Sequence, residues 1–202
     1  TKFKQILAYD KKCSTPIFKE VNPNFISRFA KRLINNPTRR LLIGITGESA
    51  SGKSTICRQI KNIIEQLSMP VSILSTDNYF NDISELIKKY GNFDLLRDAG
   101  YDVDSPDNFY LDLLRSDILK LQKGDNIYSP EYLVNGTGCS KPNSIFVKSK
   151  KVIIVEGMCS IYDKVQDIFD IKVYVDIDNE ERKKRFLNHA AQRNQDEANA
   201  LK

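Results

Sequence analysis

One stretch, Gly47-Glu48-Ser49-Ala50-Ser51-Gly52-Lys53-Ser54, constrains this chain more than any other. It follows an apolar run, Leu41-Leu42-Ile43-Gly44-Ile45-Thr46, that reads as a buried strand. It opens a segment, Lys53 to Leu67, in which Ile56, Ile60, Ile63, Ile64 and Leu67 recur at helical spacing. A G-x-x-x-x-G-K-[ST] turn between a strand and a helix is the context in which that pattern carries meaning. Glycines let backbone N–H groups turn inward around an anion, and the helix start adds its positive end. Gly47, Glu48, Ser49, Ala50, Ser51, Gly52, Lys53, Ser54 and Thr55 are therefore expected to cradle the phosphates of a nucleoside triphosphate. Lys53 would reach the β and γ phosphates, and the Ser54 hydroxyl would hold Mg²⁺.

The rest of the chain repeats this alternation. Met69-Pro70 ends the helix, and Val71-Ser72-Ile73-Leu74-Ser75 is a second apolar run. Pro106 to Gln122 reads as a helix through Phe109, Leu113, Leu114, Ile118 and Leu121, with Gly124 as its stop. Val152-Ile153-Ile154-Val155 and Ile171-Lys172-Val173-Tyr174-Val175 are short runs of the kind parallel strands need when helices cover both faces. The expected fold is a doubly wound, mostly parallel α/β sheet of the phosphate-loop NTPase kind. Residues 125–149 break the rhythm: Tyr128, Tyr132 and Val134, then Asn135-Gly136, then Ile145-Phe146-Val147 suggest a β-hairpin insertion. We divide the chain into a helical extension over 1–38 and a main domain over 39–202. In the extension, Phe25, Ile26, Phe29, Ala30, Leu33 and Ile34 recur at helical spacing. That stripe is expected to pack on the sheet or a neighbouring subunit; docking of a partner is the other reading.

Composition narrows the function classes. No apolar run approaches the roughly 18 residues needed to span a bilayer, and nothing resembling a signal h-region follows TKFKQILAYDKK, so a cytoplasmic location is expected. The charge balance, 31 basic against 26 acidic residues, is too mild for a dedicated nucleic-acid binder. Cys13, Cys57, Cys139 and Cys159 are far apart and His189 is the only histidine, so no zinc set can be assembled by spacing.

Two acids stand where open α/β sheets bind ligands. Asp77, in Ser75-Thr76-Asp77-Asn78-Tyr79-Phe80, follows the second strand and is read either as a base toward an attacking hydroxyl or as a helix cap. Glu156, in Val155-Glu156-Gly157, follows another strand and is read as a metal-holding acid or a cap.

These two segments, the glycine-rich loop and Val103-Asp104-Ser105-Pro106-Asp107-Asn108-Phe109 together resemble the uridine kinase and phosphoribulokinase family, in order and at nearly its spacing, from about residue 40 to 190. The resemblance implies an ATP- and Mg²⁺-dependent kinase that phosphorylates a hydroxyl of a small, nucleoside-like acceptor. It makes Asp77 the general base and Asp104 the acceptor of ribose hydroxyl bonds, with Tyr79 and Phe80 beside the acceptor. Tyr132, in Pro130-Glu131-Tyr132-Leu133-Val134, becomes the wall of the acceptor pocket. Uridine kinases carry a histidine after that tyrosine, whereas here the tip is Asn135-Gly136-Thr137-Gly138-Cys139. The spacing from Asp77 to Asp104 is also longer, with Leu86 to Tyr101 inserted on the acceptor side. An arginine-rich lid falls on residues 182–202, where Arg185, His189 and Arg193 share one helical face. Arg185 and Arg193 are read as phosphate clamps, or as part of a solvated face. Two alternatives stay open: another acceptor, such as a phosphosugar, pantothenate or another riboside, and a nucleotide-dependent switch. A homo-oligomer fits all of them.

Overall fold

The apolar runs pair into one sheet whose two faces are divided by residue parity. The computed structural model describes residues 6–10, 13–17, five positions between 27 and 35, and 37–192, with side chains in the last helix through 188. Among the described residues eight strands are formed: β1 Ile6–Asp10, β2 Cys13–Ile17, β3 Leu41–Gly47, β4 Val71–Ser75, β5 Ile127–Tyr132, β6 Ser140–Val147, β7 Val152–Glu156 and β8 Ile171–Val175. The helices are α1 Lys53–Gln66, α2 Ser84–Tyr90, α3 Phe93–Asp98, α4 Leu111–Lys123, α5 Asp163–Gln166 and α6 Asn179–Gln192. Six strands lie in the order β2-β1-β8-β3-β7-β4, and β5 and β6 form a separate ribbon.

β4, β7, β3 and β8 are parallel, so their carboxyl ends finish along one edge. The register brings Ile45 opposite Glu156 and Glu156 opposite Ser75, which fixes the acid between two neighbours at that edge. Each strand turns alternate side chains to opposite faces. Leu41, Ile43 and Ile45 pack with Ile56, Cys57, Ile60 and Ile64 of α1, whereas Leu42, Leu74, Ile153 and Val155 pack with Leu114, Ile118 and Leu121 of α4. Each fully buried aliphatic side chain contributes about 1.5–3 kcal/mol, so the sheet is held from both sides.

The expectation of a helical extension over 1–38 is corrected at its beginning. β1 pairs antiparallel with both β2 and β8, adding two strands to the sheet edge. Every described position of the expected helix, Ser27, Phe29, Lys31, Arg32 and Asn35, is helical. Phe29 is buried in the α1-side core, as core packing of that stripe requires; Phe25 and Ile26 lie outside the described residues. The long helix expected from Pro106 is two elements. Pro106–Asn108 forms a 3-10 turn, and α4 begins only at Leu111, ending on left-handed Gly124.

The hairpin at 125–149 forms as expected, with an irregularity between Ser129 and Glu131 where Pro130 has no N–H for the ladder. The inserted residues before Asp104 complete α2 and build α3; Ile83, just before α2, makes a small third core with Ile87 and Leu96. That core sits against the hairpin tip: Ile83 N donates to Gly138 O at 2.8 Å. Gly138 has φ +67°, and a Cβ there would lie 2.8 Å from Ile83 and 2.9 Å from Ile87.

Candidate active site

The phosphate-loop sequence becomes a turn that demands its glycines. Gly47 has φ +151°, and a Cβ on it would stand 2.3 Å from Val175 O, so the loop leaves β3 pressed against β8. Gly52 caps α1 in the left-handed region, with φ +96°. Between them Ser51 N donates to Glu48 O at 3.1 Å. Lys53 Nζ donates across the same loop to Glu48 O at 2.9 Å. Ser51 Oγ is buried and has no hydrogen-bond partner among the described residues, as suits a hydroxyl facing a cradle for oxygen-bearing groups.

The strand ends bring the acids to this loop. Ser54 Oγ donates to Glu156 Oε2 at 3.3 Å, and Ser75 Oγ donates to Glu156 Oε1 at 3.3 Å. Glu156 is thus spanned by hydroxyls from the first turn of α1 and the end of β4. Burial, then Asp77, pushes its carboxyl above the ordinary range, against the pull of the two serines and Lys53. Asp77 opens onto the cleft from a 3-10 turn, Thr76–Tyr79. Its carboxyl is also raised, by protein crowding on its inner side, with Lys53 opposing. Burial lowers the Lys53 ammonium, although Asp77, Glu156, Asp104 and Glu48 all favour its charge. One amine facing four carboxylates is an arrangement that a cation and a polyanion could complete.

The residues present fit a hard divalent cation: one carboxylate and two hydroxyls, all oxygen, in a cleft open to phosphate oxygens. Ser54 and Glu156 would hold it. Among the described residues no group of three His, Cys, Asp or Glu side chains is arranged for a metal.

The side of the cleft expected to take the acceptor is aromatic. Phe80 and Phe109 lie with ring centres 4.1 Å apart, Phe80 and Tyr132 5.2 Å apart, and Phe109 and Tyr162 5.9 Å apart. Tyr132, half-buried on β5, and Asp104, exposed beside Tyr162, flank this wall; Tyr162 OH donates to Asp104 O at 2.7 Å. Asp82 ties the hairpin to α2 by accepting from Ser84 N, Ser84 Oγ and Ser140 N, which holds its carboxyl down at about 2.

Tyr79 is a correction. Placed beside the acceptor by sequence, it is fully buried under the sheet, where its hydroxyl donates to Asp117 Oδ2 at 3.0 Å. In a 3-10 turn residues three apart eclipse, so Thr76 and Tyr79 both point inward while Asp77 points out. Arg185, on α6, lies over the loop: a Cβ on Gly52 would be 3.4 Å from its guanidinium. It also pairs with Glu181 at 3.0 Å, and its neighbour Arg182 is ion-paired with Glu48. Arg193 lies outside the described residues, as does the side chain of His189. Sequence reasoning assigned no role to Ser75, Gly157 or Asp117. Gly157 has φ +128°, and a Cβ on it would be 2.0 Å from Thr76 Oγ1 and 3.2 Å from Asp77 Oδ1, so this glycine makes room for the turn that carries Asp77. Its position directly after Glu156 was the one available signal.

A glycine-rich loop between the central parallel strand and its helix, with acids at adjoining strand ends, defines the phosphate-loop class of α/β folds. The comparisons are more specific. The chain belongs to the Phosphoribulokinase / Uridine kinase family, whose model matches residues 42–197. It is 34% identical over 143 residues to the uridine kinase of Chlamydia pneumoniae, covering 70% of this chain and 60% of that protein. Against the uridine kinase of Schizosaccharomyces pombe it is 32% identical over 172 residues, 82% of this chain and 36% of the other. The chain thus spans less than two thirds of these relatives' length. Among solved structures, the "putative fructose transport system kinase" from Silicibacter sp. TM1040 superposes with a TM-score of 0.72 at 15% identity, covering 88% of this chain and 85% of that one, a likeness of fold alone. No helix among the described residues is long and apolar enough to cross a membrane.

Proposed function

We propose that the chain is an ATP-dependent kinase that transfers the γ-phosphoryl group to a hydroxyl of a small acceptor, a nucleoside of the uridine or cytidine type. The convergence of Lys53, Asp77 and Glu156 on the glycine-rich loop supports the reading, because phosphoryl transfer needs positioning and charge compensation more than covalent help from the protein. Family membership and the flat aromatic wall of Phe80, Phe109 and Tyr132 support a nucleoside on the acceptor side.

In this reading the loop amides and Lys53 bind the triphosphate, and Lys53 exchanges its bond to Glu48 O for phosphate oxygens. Ser54 and Glu156 would hold Mg²⁺, which would supply neutralisation of phosphate charge. Asp104 orients the acceptor, and Asp77 takes the proton of its attacking hydroxyl. A new acceptor oxygen–phosphorus bond forms as the β–γ bridge breaks, and ADP departs. Arg185, already over Gly52, follows the migrating charge.

A second acceptor class, another riboside or a phosphosugar, is favoured by one observation. The hairpin tip carries no histidine and is packed at Gly138 by Ile83, just before α2, and by Ile87 within it. Mass spectrometry of products after incubation with MgATP and pooled nucleosides, phosphosugars and pantothenate tests class and acceptor together. A nucleoside monophosphate with matching ADP supports the first reading. ADP with no phosphorylated acceptor would point to a nucleotide-driven switch instead.

A further inference from the structure

The Asp77 turn is fastened from below by a pair that packing alone does not require. Tyr79 and Asp117 are almost wholly inaccessible, at 0% and 3%, in the core formed by Leu42, Leu114, Ile118 and Ile153. A phenol hydroxyl and a carboxylate in such surroundings cost stability unless paired. Here the hydroxyl donates to Asp117 Oδ2 at 3.0 Å, and Lys120, at the helix surface, reaches Asp117 Oδ1 at 3.3 Å. Phenylalanine with leucine would fill much the same space, so the pair adds direction rather than volume.

That direction bears on the cleft. The turn has four residues, and Asp77 and Tyr79 both belong to it, so a shift of the backbone at Tyr79 carries Asp77 with it. The same segment is zipped to the residues after Asp104: Tyr110 N donates to Tyr79 O at 2.8 Å, and Asn81 N donates to Asn108 O at 2.9 Å. Asp117 lies on the helix that begins at Leu111, immediately after this zipper. Asp77 and the Asp104 segment are therefore carried by one body whose internal tie is the bond from Tyr79 to Asp117.

We propose that Tyr79 and Asp117 are positioning residues that set the aim of Asp77 toward the acceptor hydroxyl. This rests on the reading of Asp77 as the base. The variants are Tyr79→Phe, which removes the donor, and Asp117→Asn, which keeps an acceptor oxygen for the phenol. Turnover is followed with MgATP and uridine as the probe, and the place of the Asp77 carboxyl is read from crystal structures of the nucleotide-free wild type and variants. Tyr79→Phe lowers kcat on the order of ten- to a hundredfold with the KM for ATP unchanged, and moves the Asp77 carboxyl from its wild-type place. Asp117→Asn retains most of kcat and leaves the carboxyl in place. A folded Tyr79→Phe protein with an unmoved Asp77 carboxyl overturns the proposal, whatever its melting temperature. If the wild type fails to phosphorylate uridine while the carboxyl moves, the positioning stands and the acceptor reading fails.

Discussion

Ser54 and Glu156 are 102 positions apart, yet the hydroxyl at the start of α1 donates to the carboxylate at the end of β7 at 3.3 Å. This contact joins the two halves of the candidate site. It puts the one carboxylate suited to a divalent cation beside the loop suited to phosphate, with Asp77 and Lys53 close enough to shift its titration.

The site residues divide into binding and chemistry. Lys53→Ala removes turnover and weakens MgATP binding, because the amine meets the phosphates in ground and transition states alike. Asp77→Asn lowers kcat on the order of a hundred- to ten-thousandfold and leaves ATP affinity nearly intact. Calorimetric ATP titration of both variants beside steady-state rates checks the split; equal, large losses of affinity would contradict the role of Asp77.

Gly157→Ala acts on the same turn by crowding. A methyl at φ +128° and 2.0 Å from Thr76 Oγ1 has no room unless the turn shifts. The expected cost is about 2–4 kcal/mol of stability together with reduced kcat. Denaturant melts and rates measured on the folded fraction test this, and a variant with wild-type values in both would show that the close approach is dispensable.

Glu48 places a negative charge on the loop and occupies Arg182 through an ion pair. Entering phosphates are repelled by the first and deprived of the second. Because both side chains are partly exposed, the effect is modest. Glu48→Gln should tighten ATP binding about threefold, read by equilibrium titration at low salt and shrinking as salt is raised. Weaker binding would assign Glu48 a supporting role instead.

Acid and base dependence should separate two groups of carboxyls. Asp77 and Glu156 are raised in the folded protein, so their protonated forms favour folding. That stability is present below the ordinary carboxyl values of 3.8 and 4.5 and is lost as pH rises through the raised ones. Turnover has the opposite slope, since Asp77 must be ionised to accept a proton; activity falls as pH drops through its raised pKa. Asp82, held at about 2 by Ser84 and Ser140, stabilises the hairpin junction above 3.8 and loses that contribution as pH falls toward 2. Melting curves of Asp82→Asn and wild type should differ at neutral pH and converge near pH 2.

The sequence by itself determined the sheet and the loop. The glycine pattern, the apolar runs on either side of it and the helical spacing after Lys53 are local signals, and each is strong enough to survive any plausible packing. It also marked Asp77 and Glu156, because residues just after parallel strands face the ligand edge of an open α/β fold, while Asp104 and Tyr132 were marked only by the family resemblance. Tertiary structure alone decided what those residues rest on. Tyr79 was misplaced beside the acceptor because adjacency in sequence says nothing of which side of a 3-10 turn faces the core; the eclipsing of Thr76 and Tyr79 settles that. Ser75 on Glu156, Gly157 beneath Asp77 and Asp117 under Tyr79 are contacts between segments far apart in the chain, and β1 joins the sheet by pairing with β8, far along the chain, bringing β2 with it. Short polar side chains and edge strands carry no periodicity of their own, so their partners exist only once the chain has closed on itself.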